Sequence, residues 1–316
     1  MTLRFGRLLL ATLAALTLAS VLPAQSRKPH APTRSRTAAT PAPKGPVTLA
    51  PALVEAGSPE LIRVEAAGAE KVNGEWLGLK LEFFRASGNK SVWYALAGAD
   101  VETPTGPSKL TLTAHLHDAQ GAPLTRDLSR DIAIRPAHYA TGSLTVAPKF
   151  VEPGPEDKAE IDASVKAKQK AFAHTEDKPL WSGSFLPPVK AASTASFGTR
   201  RMFNGKLASI HKGTDFRAAS GTPVLAGNSG TVILAQPLYY EGGCVMIDHG
   251  LGLVSISMHL SRIDVKPGQK VGKRDPIGLS GATGRVTGPH LHWAIRWQGA
   301  MLDPVKLLHL NLNDLR

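Results

Sequence analysis

The sequence predicts a mainly β protein of two domains, an N-terminal immunoglobulin-like β-sandwich and a C-terminal antiparallel β domain, joined by a helix. The 316 residues include 30 Gly and 24 Pro, a content typical of short strands and many turns. Apolar and polar residues alternate in short runs through two long regions, and the period lengthens between them. We therefore expect the sandwich at residues 47–150, a linker with the helix at 151–184 and the second domain at 185–316.

The first 46 residues have the composition of a leader and a tether. Arg4 and Arg7 precede an apolar run that ends at Leu22, and a cleavage site follows, so residues 1–24 are expected to be a secretory signal peptide. The run is shorter than the roughly 20 residues of a spanning helix, which argues against stable membrane insertion after cleavage. Residues 25–46 are rich in Pro, Ala and basic side chains and predict a disordered tether. We expect export to the periplasm or cell envelope.

The charge of the chain limits its partners. The formal net charge is +12, and residues 185–316 hold 15 Lys/Arg against 7 Asp/Glu. A solvated surface accounts for this excess, and a basic groove around a carboxylate-bearing substrate accounts for it equally well. Nucleic acid is not an expected partner, because no element interleaves basic residues with aromatic ones. Cys244 is the only cysteine, so an intramolecular disulfide is excluded.

Alternation in the first domain predicts a half-buried antiparallel sheet. One run extends from Leu77 to Phe83, after an Asn73-Gly74 pair that predicts a turn, and another extends from Leu110 to His117. The second run contains a His-x-His pair, His115 and His117, on the face it shares with threonines. Because no third histidine or carboxylate accompanies the pair in this run, we expect these to be solvent-facing strand residues.

A helical period separates the two domains. Pro155 suits a first helical position, acidic residues follow it, and lysines crowd the end before His174. Asp162 and Lys166 are spaced for an ion pair. The apolar stripe of Ile161, Val165 and Phe172 is thin, which predicts a helix on the surface of one domain.

The second domain holds a group of metal-binding residue types. His290 and His292 are two apart, so in a strand both side chains point to one face. His211 and Asp215 lie one short turn apart, and zinc accepts both nitrogen and carboxylate ligands. In the run Leu253 to Leu260, strict alternation places His259 on one face with Ser255 and Ser257, toward a cleft. A catalytic zinc needs three protein ligands and leaves two histidines for proton transfer, but composition does not say which two.

These residues belong to a series of motifs in a fixed order across residues 185–308. The series resembles the lysostaphin-type, or LytM-like, zinc metallopeptidases that cut peptidoglycan. The motifs are Ser196-Phe197-Gly198-Thr199-Arg200-Arg201, His211-x-Gly213-x-Asp215, Gly221-Thr222-Pro223-Val224, Asp248-His249-Gly250, His259-Leu260-Ser261, Val265-Lys266-Pro267-Gly268-Gln269-x-Val271 and Gly281-Ala282-Thr283-Gly284-Arg285-x-Thr287-Gly288-Pro289-His290-Leu291-His292. The N-terminal segment is similar to the domain that precedes the peptidase in some exported members.

The resemblance implies a role for each site residue. His211, Asp215 and His292 would bind one zinc ion, while His259 and His290 would assist catalysis. Many members have an aromatic residue where this chain has Ser257, which puts the shape of one cleft wall in question. We also expect Gly281, Gly284 and Gly288 to let the backbone approach a bound peptide.

The implied activity is zinc-dependent endopeptidase cleavage of peptide cross-links in peptidoglycan, with stem peptides as partners and a monomeric protein. A second reading is a non-catalytic activator or binding module for other cell-wall hydrolases, because the family includes members that have lost ligands. All five positions are intact here, and this favours the enzyme.

Overall fold

The structure is a computed structural model that describes residues 45–86, 88–144, 150, 152–194, 197–203 and 206–315. The expected signal peptide and residues 25–44 of the expected tether lie outside the described residues. No helix in the described part of the chain is both long and apolar enough to cross a membrane.

The N-terminal region forms two β-sheets, which confirms the predicted class. Its strands are β1 (Val47–Ala50), β2 (Val54–Glu55), β3 (Pro59–Glu65), β4 (Lys71–Trp76), β5 (Leu79–Glu82), β6 (Phe84–Arg85), β7 (Val92–Gly98), β8 (Gly106–His117), β9 (Pro123–Arg135) and β10 (Thr141–Leu144). One sheet has the order β1-β3-β7-β6 and the other β2-β9-β8-β4-β5. Fully buried side chains from both sheets, including Ile62, Trp76 and Leu110, join one hydrophobic core. Burial of these large side chains is the main stabilising term for the pair of sheets.

The prediction of a turn at Asn73-Gly74 is wrong. Both residues lie inside β4 and pair with β5 and β8. The chain reverses at Leu77 and Gly78 instead, where φ is 54° and 75°. Gly74 has a packing role, because a Cβ there would lie 2.6 Å from a methyl carbon of Leu112. A glycine that makes room for a neighbouring strand has the same local signal as a glycine that makes a turn.

The His-x-His pair of β8 is exposed, as predicted for solvent-facing strand residues. A carboxylate does lie near it: His117 Nδ1 is 3.3 Å from Glu70 Oε1, although both side chains are largely exposed. Glu70 lies before the neighbouring strand β4, so the run around His117 could not reveal this contact.

The predicted helix, α1 (Lys158–Phe172), follows a single 3-10 turn at Pro155–Asp157 and packs on the C-terminal sheet. Its buried face is centred on Ser164 and Ala171, and Val165 is 41% exposed, so the predicted stripe was partly wrong. Asp162 pairs with Lys158 at 3.1 Å rather than with Lys166. The Ser164 hydroxyl accepts a hydrogen bond from the Tyr239 N–H at 2.9 Å. Small residues at the contact let the helix lie close to the sheet.

The C-terminal region is an antiparallel β domain, as predicted. Its elements are β11 (Arg200–Phe203), β12 (Lys206–Ile210), β13 (Thr214–Phe216), β14 (Pro223–Leu225), β15 (Gly230–Leu238), β16 (Gly242–Asp248), β17 (Leu253–Ile263), β18 (Lys270–Val271), β19 (Pro276–Ser280), β20 (Leu291–Trp297), β21 (Ala300–Leu302) and α2 (Pro304–His309), with a final 3-10 turn at Asn313–Leu315. The main sheet has nine strands, with the central order β13-β20-β17-β16-β15-β18. Alternate residues of β20, Leu291, Trp293 and Ile295, are at most 1% exposed. This row fixes the orientation of the strand that carries His292.

The two regions are joined by strand pairing as well as by the linker. β10, which precedes α1, pairs in parallel with β11 and forms a three-stranded sheet with β11 and β12. Register places Gly142 opposite Arg201. A strand that follows the N-terminal sheets thus supports a strand of the C-terminal domain.

Candidate metal centre and catalytic cleft

Three of the predicted site residues converge on one point. In the pairing of β13 with β20, Asp215 lies directly opposite His292, so both side chains point to the same face. His211, just before β13, completes the group. His211 Nε2 is 3.1 Å from Asp215 Oδ1 and 2.8 Å from His292 Nδ1, and His292 Nδ1 is 2.9 Å from the same carboxylate oxygen.

This donor set fits a zinc ion. Zinc bonds of about 2.0–2.2 Å in a tetrahedron place neighbouring ligand atoms roughly 3.3 Å apart, slightly more than the separations here. The two ring nitrogens face each other at 2.8 Å and share one carboxylate oxygen, and one cation would contact all three atoms. His211 is 3% exposed and His292 is 8% exposed, so the group is largely shielded from water.

Gly213 provides the space for this arrangement. A Cβ at position 213 would lie 2.4 Å from His292 Nε2 and 2.8 Å from the Trp293 carbonyl oxygen. A side chain there would displace the His292 ring, so the glycine between His211 and Asp215 is required by packing rather than by a turn.

Arg201 holds the other side of the Asp215 carboxylate. Its Nη2 donates to Asp215 Oδ2 at 2.9 Å, which leaves Oδ1 directed at the two histidines. Burial alone would raise the pKa of Asp215, but hydrogen bonds from His211 and His292 hold it well below its usual range. Burial lowers the pKa of His292 to about 4, against the attraction of Asp215. At neutral pH the site therefore combines the Asp215 carboxylate with a neutral His292 imidazole, the forms that bind metal.

His259 reaches the cleft by a different route from the one predicted. In the register of β17 with β20, Ser257 lies opposite Trp293 and Met258 lies opposite His292. Strict alternation would therefore point His259 toward the buried Trp293 side. Instead His259 has φ 64°, next to a register shift in the pairing of β17 with β19, and its ring centroid lies 6.0 Å from that of His292. The left-handed backbone reverses the side-chain direction.

Ser255 and Ser257 consequently do not face the cleft. Both are 3% exposed and lie on the face of the sheet that carries Trp293 and Ile295. The prediction that they line the polar cleft was wrong, and Ser257 does not shape the cleft wall.

His259 and His290 are oriented by backbone carbonyls. His259 Nδ1 is 2.9 Å from the Thr283 oxygen, and His290 Nδ1 is 2.8 Å from the Gly288 oxygen. Because a carbonyl only accepts, each Nδ1 must carry the proton, which leaves Nε2 as the free acceptor. His290 Nε2 lies 3.7 Å from Asp215 Oδ1. The ring centroids of His259 and His290 are 4.9 Å apart. Burial lowers the pKa of His259 to about 3, with repulsion from His292 and His290 contributing further.

A cavity of about 290 Å³ lies over these groups. Its described lining consists of Thr194, Arg201, Asp215, His259, Arg285, Val286, Thr287, Gly288, Pro289 and His290. Gly288 has open space beside its Cα, as expected for a backbone that approaches a ligand. Gly281 and Gly284 do not, because a Cβ on either would lie within 2.7 Å of the backbone of Ser261 or Gly242. The expectation for these two glycines was wrong: they pack turns against neighbouring strands.

The fold and the site define a β-domain with a His-Asp-His metal centre and two further histidines at the cleft. Residues 209–304 match Peptidase family M23, and the chain belongs to this family through its C-terminal domain. The predicted family resemblance is thereby confirmed.

Named relatives match about a third of this chain. The peptidoglycan DD-endopeptidase ShyA of Vibrio cholerae is 42% identical over 114 residues, which cover 36% of this chain and 26% of that protein. The DD-carboxypeptidase/endopeptidase Mpg of Neisseria meningitidis is 38% identical over 98 residues, covering 31% and 23%. The chain therefore spans about a quarter of the length of these curated relatives.

One solved structure shares both regions. A peptidase M23 crystal structure from Pseudomonas aeruginosa is 27% identical, with a TM-score of 0.60, and the match covers 80% of this chain and 94% of that one. The order of N-terminal sheets followed by an M23 domain is therefore shared with a second protein.

Proposed function

We propose that this protein is a zinc-dependent endopeptidase that hydrolyses peptide cross-links of peptidoglycan. The observation that carries the proposal is the convergence of His211 Nε2, Asp215 Oδ1 and His292 Nδ1 within 3.1 Å of one another, beside two further histidines at a cavity. The names of relatives such as ShyA support the choice of substrate. His211, Asp215 and His292 would hold the zinc, which when bound lowers the pKa of a water to about 7 and polarises the scissile carbonyl.

The chain's own residues supply proton transfer. His259 is neutral at pH 7 because burial lowers its pKa to about 3, so its free Nε2 is able to accept a proton. Its Nδ1–H bond to the Thr283 carbonyl fixes the ring and stabilises the positive charge that follows. The proton that His259 Nε2 takes from the water would then pass to the leaving amine. His290, held in the same way by Gly288, lies on the Asp215 side of the cleft, where its Nε2 would accept a hydrogen bond and orient the reacting groups. Such general acid-base steps contribute about a hundred- to ten-thousand-fold.

Two substitutions separate the metal ligand from the proton-transfer group. We expect His292→Ala to lose both zinc and activity, and His259→Ala to keep zinc while its turnover falls by about a hundred-fold or more. His115→Ala, on the exposed face of β8, is the matched control and should change neither. Zinc content and release of newly freed peptide ends from purified peptidoglycan are measured by mass spectrometry. Stoichiometric zinc in an inactive His292→Ala protein, or full activity in His259→Ala, would contradict the assignment.

The same assay separates the enzyme from the activator or binding module. A zinc-loaded wild-type protein that releases no peptide ends from peptidoglycan would favour the non-catalytic reading. We further propose stem peptides as the partners, action as a monomer without stable membrane insertion, and export to the periplasm or cell envelope by the leader at residues 1–24. The relatives' peptidoglycan-directed names support the envelope location.

A further inference from the structure

The catalytic cavity carries more positive charge than the chemistry needs. Among its described lining residues, Asp215 is the single acid, and two arginines, Arg201 and Arg285, face the same space. Asp215 already contacts Arg201 and two histidines. A bound dication would add further positive charge. The cavity therefore favours a substrate with a negative charge close to the reacting amide.

Arg285 is fixed beside the reacting groups. Its guanidinium carbon lies 4.7 Å from the centre of the Tyr240 ring, and its backbone N–H donates to the Tyr240 carbonyl at 2.9 Å. Gly284 packs against Gly242 so closely that a Cβ would lie 2.4 Å from the Gly242 nitrogen. Thr283, in the same turn, bonds His259 through its carbonyl and the Gly243 N–H through its hydroxyl. One rigid turn thus sets both the general base and the arginine.

Arg285 and Arg201 are close enough to interact electrostatically. Both side chains line the same cavity, and both are half-buried. Burial lowers the pKa of Arg285, while Tyr240 and Glu241 act in the opposite direction. Two half-buried guanidinium groups that repel each other across a cavity gain most from an anion that contacts one or both.

We propose that Arg285 is a specificity-determining residue that binds a free carboxylate of the substrate next to the scissile amide. The inference rests on the proposed peptidase function and adds the chemical class of its substrate: a peptide whose cleaved residue keeps its own carboxylate. A planar guanidinium matches a carboxylate with two parallel hydrogen bonds, and the stack on Tyr240 pre-orients it for that contact. A purely structural role for Arg285 in holding the turn would affect all substrates alike.

The test compares two synthetic cross-linked peptides that differ only in a carboxylate or a carboxamide beside the scissile bond. The wild-type zinc enzyme should cleave the acid with a kcat/KM about 10- to 100-fold higher, the range expected for a charge-assisted hydrogen bond. In Arg285→Gln this ratio should fall to near one, and Arg285→Lys should recover part of it. Arg200→Gln is the matched control, because Arg200 is exposed on β11, and it should keep the wild-type ratio.

A third peptide has its scissile amide just before a C-terminal carboxylate. It shows whether Arg285 also binds the carboxylate at the end of a peptide chain. A preference for it over its C-terminal amide that is lost in Arg285→Gln supports the inference with a terminal carboxylate as ligand. Equal rates for acid and amide in the wild type, or an unchanged ratio in Arg285→Gln, overturn the inference while the peptidase function stands. A zinc-loaded wild type that cleaves none of the peptides and leaves peptidoglycan intact overturns both.

Discussion

At the scale of single residues, the site consists of three side chains that converge on one point, His211, Asp215 and His292, and of Arg201, which holds the Asp215 carboxylate from its other side. The resemblance to the lysostaphin-type family implied His211, Asp215 and His292 as ligands, whereas spacing alone places only His211 near Asp215 and His290 near His292. Arg201 could not be assigned in this way. Its contact with Asp215 bridges 14 positions and depends on how β11 lies beside β13. The only sequence feature that pointed to Arg201 was its place in the motif that ends in Arg200-Arg201.

Arg201 is predicted to position Asp215 for metal binding. Replacing it with Gln removes the charge-assisted bond to Oδ2 and lets the carboxylate rotate, so zinc affinity should fall by about 10- to 100-fold, as for other outer-shell partners of metal ligands. Arg200→Gln, one residue away and exposed, should bind zinc like the wild type. Competition with a chromophoric chelator measures both affinities without relying on activity. Equal affinity in the two variants would show that Arg201 does not orient the ligand.

At the scale of elements, periodicity located the strands but not their irregularities. The alternation in β8 predicted a half-buried strand, and the structure agrees, with Leu110, Leu112 and Ala114 buried. In β17 the same rule gave the wrong face for Ser255 and Ser257, because a left-handed residue at His259 interrupts the alternation. A positive φ in a non-glycine residue leaves no local signal, since it is imposed by the neighbouring turns. The parallel pair β10 and β11 was equally invisible, because it joins distant parts of the chain.

A second element, the segment that follows α1, is held by the turn after β16. The Asp248 carboxylate accepts from the Thr175 hydroxyl at 2.8 Å and the Glu176 N–H at 2.9 Å, and the His249 carbonyl accepts from the Leu180 N–H at 2.8 Å. The His249 ring is fully buried, with Nδ1 2.8 Å from the Ser229 carbonyl and Nε2 2.8 Å from the Ser255 hydroxyl. Nδ1 donates to the Ser229 carbonyl, and in the neutral imidazole Nε2 accepts from the Ser255 hydroxyl. This contact explains why a serine lies on the buried face of β17.

His249 should make the folded state sensitive to acid. Burial lowers its pKa from 6.5 to about 4, so below pH 6.5 the unfolded chain binds a proton that the folded chain does not. Stability contributed by the neutral ring is present above pH 6.5 and is lost as the pH falls toward 4, by about 3 kcal/mol in total. In urea unfolding at fixed zinc, His249→Gln should show a shallower decline over this range than the wild type. Parallel curves for the two proteins would exclude His249 as the titrating group.

At the scale of the whole molecule, the N-terminal sheets and the M23 domain meet in a hydrogen-bonded interface. The Val101 N–H donates to the Met301 carbonyl at 3.2 Å, and the Met301 N–H donates to Asp100 Oδ2 at 2.6 Å. Nearby, a Cβ on Gly98 would lie 2.4 Å from a Leu302 methyl carbon, so the two regions are in direct contact at this point. The sequence predicted two domains and their class, but it contains no signal for this contact. The residue pattern on either side of the contact is equally compatible with a strand edge that faces solvent. The exact domain boundaries stay predictions.

Glu60 lies on β3 near this interface, and its ionisation should weaken the interface. The side chain is fully buried, Ser58 donates to Oε1 at 2.6 Å, and Oε2 has no hydrogen-bond partner among the described residues. Burial raises its pKa from 4.5 to about 8, although the Ser58 hydrogen bond and the charge of Lys306 on α2 act in the opposite direction. The folded chain therefore keeps a proton that the unfolded chain releases above pH 4.5.

The sign of the Glu60 effect is opposite to that of His249. Stability is fully present below pH 4.5 and is lost as the pH rises toward 8, with a loss on the order of 3 kcal/mol by pH 7. Glu60→Gln keeps a neutral side chain of the same shape, so its stability should decline less than that of the wild type between pH 5 and 8. Glu65→Gln, at the exposed end of the same strand, is the matched control and should follow the wild type. Urea unfolding of the zinc-loaded proteins at several pH values measures the three slopes, and a Glu60→Gln slope equal to that of the control would show that Glu60 does not titrate in the folded protein.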